Sequence, residues 1–413
     1  MSGRRAVWTK VCRVARTSAV LATFAGLPLA QGQKFKTLYS FTGGNDGGIP
    51  QGPLLLDKKG NLYGAAFTSA NGFGNGTVFK VNPTGKFRLL FAFPGQGGNG
   101  NNGANPVSGV ARDDHGNIYG AAQLGGQYGI GVVFKVSPTG QETVLRDFSG
   151  PDGAVPNSAF IRAPSGGFYS SAFEGGDGKC RDGLNDCGLV FSIDESGNYQ
   201  IIYQFQGQPR DGFGPWLTLV QDAQGNLYGV DAGGGDLAGM NCAGFLYGCG
   251  AVFKLSPNSD GTWTETLLHS FTGGSDGDTP TGVAVDSQGN VYGTSLFGAQ
   301  TGCGAVFKID AAGNFTILHS FTGNDGCAAR GVALDQSGNL YGATAGGGKS
   351  GCPAGCGVVY RVDAQGTFKV LHAFDGSDGG KAGVLIVDGA GTLYGTTIQG
   401  GASDWGTIFK LKP

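Results

Sequence analysis

An Asp-Gly pair recurs at one repeat position of the 413-residue chain six times, at Asp46, Asp152, Asp211, Asp276, Asp325 and Asp378. A carboxylate repeated in this way can ring a cation or meet the hydroxyls of a sugar. The dipeptide also makes tight turns unaided, since Asp caps the backbone and Gly adopts positive φ. Turn chemistry accounts for every copy, so the turn is the first reading and a ligand site the second. Aromatic residues form a second group: Phe73, Tyr128, Phe173, Tyr247, Phe297 and Trp405 in glycine-rich segments, and Phe213 and Trp216 just after Arg210 and Asp211. Rings beside acids and amides stack on the C–H faces of a sugar while the polar groups bond its hydroxyls. Rings under long glycine-rich loops also fill space, and the sequence weighs the two readings equally.

Other familiar chemistry dissolves on inspection. Residues 343–350 read Ala-Thr-Ala-Gly-Gly-Gly-Lys-Ser, a relaxed match to a phosphate loop. That loop needs a strand before it and a helix after it, and here the segment aligns with Gly-Gly pairs elsewhere in the chain. His269, His319 and His372 share one repeat position, filled elsewhere by Tyr39, Phe91, Arg146 and Tyr203. The position falls in the last and outermost strand of each repeat, so it reads as surface or inter-blade packing rather than as a catalytic base. No Ser-His-Asp set is indicated by spacing.

The elements that must position these residues are repeats. A hydrophobic-Tyr-Gly triplet occurs at Leu62-Tyr63-Gly64, Ile118-Tyr119-Gly120, Leu227-Tyr228-Gly229, Val291-Tyr292-Gly293, Leu340-Tyr341-Gly342 and Leu393-Tyr394-Gly395, with a degenerate copy at Phe168-Tyr169-Ser170. Before each triplet lies an apolar stretch and a turn. After it come a glycine-rich loop, a Gly-x-Val-Phe-Lys segment such as Gly304–Lys308, a second turn, and Leu-x-x-Phe, as in Leu318–Phe321. These predict four short antiparallel strands per repeat, A to D, bounded by turn residues. A four-stranded meander cannot bury both its faces alone, but seven stacked radially can. The expected fold is all-β, a seven-bladed β-propeller. The chain starts with a lone D strand, Thr37-Leu38-Tyr39-Ser40-Phe41, and stops after a C strand, Gly406–Lys410. The N-terminal strand is therefore expected to complete the last blade.

The Leu-Tyr-Gly, Gly-Gly and Gly-x-Val-Phe-Lys pattern resembles the GloVer tandem-repeat family of secreted bacterial proteins, over nearly all of residues 34–413. The resemblance implies an extracytoplasmic propeller without an established activity.

Residues 1–30 carry five basic residues, no acid, and then an apolar run from Ala19 to Ala30. They are read as a secretory signal peptide, leaving residues 31–413 as the propeller. The remaining 23 basic and 30 acidic residues give a net charge of −7, which argues against a nucleic-acid partner. Glycine supplies 82 residues and charged residues 14 %. Without a period of three this is not collagen, with 11 % aromatics it is not a disordered chain, and no apolar stretch spans a membrane. Cys12 leaves with the signal segment. Cys187, Cys249, Cys303 and Cys356 each precede a C strand. They are expected to pair with Cys180, Cys242, Cys327 and Cys352 respectively, as disulfides of a secreted chain. A zinc site is disfavoured because no two pairs share a blade and no histidine is interleaved.

The resulting expectation is a secreted or periplasmic monomer without cofactor, save a cation at the channel mouth. It would act as a binding or scaffold module for polysaccharide or another surface component. The rivals are a polysaccharide lyase or hydrolase working on the face of the D–A and B–C loops, and a purely structural envelope protein. Blades 3 and 4 depart most from the repeat: Ala163-Pro164-Ser165 replaces the Asp turn, and Arg210, Asp211 and Trp216 cluster at the entry to blade 4.

Overall fold

The computed structural model describes residues 33–68, 75–94, 102–164, 166–177, 187–207, 211–235, 242 and 248–413. Among them the regular elements are all strands, in seven antiparallel sheets arranged as a seven-bladed propeller. Blade 5 shows the pattern, with strands A to D at Asp278–Val285, Val291–Phe297, Ala305–Ile309 and Phe315–Ser320 paired in that order. Blade 7 closes the ring. The N-terminal strand Lys34–Ser40 pairs antiparallel with Thr407–Lys412, from Lys34 opposite Lys412 to Ser40 opposite Thr407.

Each signature residue of the repeat has a packing reason. In the turn between strands A and B, Asp57 Oδ1 accepts from the backbone N–H groups of Lys59 and Asn61, and Oδ2 accepts from Asn61 Nδ2 and the Tyr63 hydroxyl. Gly60 takes the left-handed position, φ 77°. Burial alone would raise the Asp57 pKa, but these hydrogen bonds hold it below the usual carboxylate range. The Tyr-to-Asp bond recurs in blades 2, 4, 5, 6 and 7 at 3.0–3.3 Å. The glycine after the tyrosine is demanded by the C strand: a Cβ on Gly64 would lie 2.7 Å from the Phe79 ring. Strand C is buried along its length except for its lysine, because neighbouring blades cover both faces of every sheet. The core lies between blades, as where Val306 of blade 5 packs with Tyr360 and Val358 of blade 6.

A second repeated device stitches blade to blade. The residue that enters each A strand has positive φ: Ile49, Asn105, Val155, Gly214, Thr279, Ala328 and Lys381. Six of the seven are not glycine, and such a conformation costs about 1–2 kcal/mol for an L-residue. In return its N–H donates across to the preceding blade, to Trp405, Asn75, Ile130, Cys187, Cys249, Cys303 and Cys356 carbonyls in turn, at 2.8–3.3 Å. The A strands then approach one another around the axis. Phe160 N–H donates to Gly109 O, and Ala159 N–H to Leu217 O.

The disulfides follow the expected pairing. Cys242–Cys249, Cys303–Cys327 and Cys352–Cys356 have Cα separations of 5.0, 4.4 and 5.0 Å. Cys187 is disulfide-bonded, and its expected partner Cys180 lies outside the described residues.

Candidate functional site

The Asp-Gly carboxylates bond within their own loops and to the outermost strand. Asp46 accepts from the Tyr39 hydroxyl and from Thr42, and Asp211 from the Tyr203 hydroxyl and the Gln206 N–H. Asp152 meets Arg146 and Ser149. Asp276, Asp325 and Asp378 meet His269, His319 and His372 at 3.2, 2.9 and 2.7 Å. Burial alone would raise the Asp276 pKa, but hydrogen bonds from His269 and Thr272 hold it low. The strand-D side chain then stacks on the next blade. His269 lies on Phe315, His319 on Phe368, and His372 on Phe35, with ring centroids 3.6–3.9 Å apart and planes within 12°. These carboxylates, expected at one channel mouth, are thus engaged by strand D, and among the described residues no group of three acids, histidines or cysteines forms a metal site.

The aromatic residues separate as well. Phe213 and Trp216 contact Phe173 edge to face, at centroid distances of 5.8 and 6.3 Å. Trp405 covers Gly43 and Gly48 in the loop entering blade 1, and Tyr128 is exposed. Arg210, Phe73 and Tyr247 lie outside the described residues.

A cleft of about 470 Å³ opens instead between blades 3 and 4, and its walls explain it. In the other blades the turn Asp, itself held by the Asn or Thr four residues on, bonds the signature tyrosine, and in four of them a strand-C lysine lies over its ring. Lys80, Lys135, Lys254 and Lys308 stand 5.3–5.8 Å from the centroids of Tyr63, Tyr119, Tyr228 and Tyr292. Blade 3 has replaced all three. Ala163 takes the place of the Asp, Gly167 of the Asn, and Ser192 of the lysine. Tyr169 therefore makes no side-chain hydrogen bond among the described residues, and burial raises its pKa. From blade 4 a second change meets it. That blade's C and D strands, Ala251–Pro257 and Trp263–Ser270, are longer than the five- and six-residue strands of blade 5. The added length places Trp263 edge to face with Tyr169, centroids 6.0 Å apart. Asp194, Asn198 and Gln200 supply polar groups to the same cleft.

This site uses the A–B and C–D turns, whereas the D–A and B–C loops had been expected to carry it. The Ala163 substitution is visible in the sequence. Ser192 and Trp263 were missed, although a lysine-to-serine change inside Gly-x-Val-Phe-Lys is a readable signal.

Blade 4 holds a further asymmetry. Asp231 occupies a B-strand position that is Ala, Ser or Thr in the other blades. Both its oxygens are buried without a partner. Burial, then Asp211 and Glu265, push its pKa well up. Glu265 is raised to about 7 by burial and by Asp211.

The Gloeobacter/Verrucomicrobia repeat model matches residues 26–183 and 231–413. The unmatched stretch holds strands C and D of blade 3, Leu189–Ile193 and Tyr199–Gln204, strand A of blade 4, Gly212–Gln221, and the start of the next strand, Leu227–Gly234, and it includes one wall of the cleft. The search of curated proteins gave no match. Among solved structures the chain is similar to virginiamycin B lyase from Staphylococcus aureus, with 13 % identity, TM-score 0.57, and 92 % of this chain and 99 % of that one covered. It is similar to a puromycin-hydrolyzing peptidase of Mycobacterium tuberculosis, with 12 % identity, TM-score 0.57, and coverage of 91 % and 54 %. PorZ, a surface component of the type-IX secretion system of Porphyromonas gingivalis, aligns with 13 % identity and TM-score 0.52 over 86 % of this chain and 46 % of that one. At such identities the likeness is one of fold.

Proposed function

Given that the chain belongs to the Gloeobacter/Verrucomicrobia repeat family, we propose that it is an extracytoplasmic binding module whose blade 3–blade 4 cleft takes a carbohydrate chain. The observation that carries this reading is the stripping of Tyr169. One blade of seven has lost the acid, the amide and the cation that cover its tyrosine, and the next blade sets a tryptophan beside the uncovered ring. Aromatic walls with a phenol, amides and a carboxylate match the alternating C–H faces and hydroxyls of a sugar. Disulfides support life outside the cytoplasm.

The test refills the cleft with the repeat's own residues. Polysaccharide retention or a glycan array is expected to show binding by the wild type, and Ala163→Asp with Ser192→Lys is expected to abolish it with the fold intact. Trp263→Ala is expected to weaken it by about 1–2 kcal/mol, roughly 5- to 30-fold. A wild type that binds no glycan, or a refilled variant that binds as well as wild type, overturns the reading.

A hydrolase or lyase reading draws on the blade 4 carboxylates. Their raised pKa values suit acid catalysis, but both Asp231 oxygens are sealed from solvent and out of a substrate's reach, so binding is the better-supported function.

A further inference from the structure

Arg330 lies on strand A of blade 6, Cys327–Leu334, one of the strands that border the axis. It is the second residue after the left-handed entry position. The corresponding residues of the other blades are Gln51, Val107, Asn157, Trp216, Thr281 and Gly383, so blade 6 alone places a charge there. Its Nε is buried without a partner, while the residue as a whole keeps partial exposure. Burial lowers its pKa, and no nearby acid counters the effect.

The other described arginines are all engaged. Arg146, Arg162 and Arg361 have acids, Arg112 lies over the Tyr63 ring, and Arg88 donates to Pro138 O. Arg330 has none of these. The backbone around it is already committed: Gly331 N–H donates to the Thr281 and Thr294 hydroxyls, and Thr281 in turn donates to Ala329 O. A guanidinium stays protonated, and a buried Nε–H left without an acceptor is unfavourable unless an anion meets it. Nothing in the packing of blade 6 requires arginine here, since Thr281 and Gly383 serve the same place in blades 5 and 7.

We propose that Arg330 is an oxyanion-binding residue at the axis of the propeller, taking a carboxylate or sulfate group through its planar fork of donors. The site lies in blade 6, and its test is independent of the sugar cleft between blades 3 and 4.

Isothermal titration of the full chain at low salt with sodium sulfate and with sodium D-glucuronate checks it, with D-glucose as the neutral control. One saturable site per chain is expected for the anions, weakening as chloride is added. Arg330→Gln is expected to lower the affinity at least tenfold, and Arg330→Lys to fall between, because a point charge keeps attraction but loses the fork. Tighter glucuronate identifies a carboxylate-bearing saccharide as the source, and tighter sulfate a free inorganic anion. The melting temperature of Arg330→Gln without anion is expected to be no lower than wild type, since Arg330 makes no ion pair within the fold and its Nε is buried without an acceptor. No saturable site for either anion, or Arg330→Gln binding as wild type does, overturns the proposal.

Discussion

Glu265 shows what a carboxyl does at an interface position that is aromatic in five of the seven blades. At the corresponding place in five other blades stand Phe35, Phe87, Tyr199, Phe315 and Phe368, each carrying a ring or guanidinium of its neighbour on its face, and blade 2 has Glu142, whose pKa burial also raises. In blade 4 a carboxyl meets Tyr203 and Asp211 instead, and its pKa rises to about 7. An acid raised in the folded state binds more protons folded than unfolded. Its contribution is therefore retained below about pH 4.5 and lost as pH climbs toward 7. Glu265→Gln is expected to match wild type in melting temperature near pH 4.5 and to exceed it at pH 8. The gap corresponds to on the order of 1–2 kcal/mol after allowance for solvent screening. A pH-independent difference between the two proteins would assign the rise to another group.

At the scale of elements, the disulfides differ in what they hold. Cys303–Cys327 spans 24 residues and ties the B–C loop of blade 5 to strand A of blade 6, whereas Cys352–Cys356 closes a separation of 4 within one loop. In the chain-entropy model these stabilise by roughly 3 and 2 kcal/mol. Replacing Cys303 and Cys327 with serine is expected to lower the denaturant midpoint more than replacing Cys352 and Cys356, and equal losses would refute the ordering. Strands and turns were legible beforehand because they rest on local chemistry repeated from blade to blade: Asp and Gly in turns, β-branched and aromatic residues between them. Three of these pairs were legible because their cysteines recur just before strand C. The cleft was half legible. Ala163 breaks a visible repeat, but its meaning depends on Trp263, 100 residues away on the next blade, and only packing brings the two together. The fate of the Asp-Gly carboxylates was hidden for the same reason. Turn preference places the residue, while the histidine or tyrosine that engages its side chain comes from strand register.

For the whole molecule, the pairing of Lys34–Ser40 with Thr407–Lys412 removes the open edge that blade 7 would otherwise present. Deleting residues 34–41 is expected to give a chain that aggregates or associates through that edge, read by size-exclusion chromatography and by loss of the cooperative thermal transition. A monomer melting as wild type does would show that closure is dispensable. The same pairing governs when the protein can finish folding. The first strand of the ring is synthesised before any other and waits for the last, so its partner is absent until Thr407–Lys412 has been made. Contacts this distant in sequence form late and slowly. A product that lacks Thr407–Lys412 exposes unpaired edges and remains a substrate for proteases, so the ring acts as a test of its own completeness.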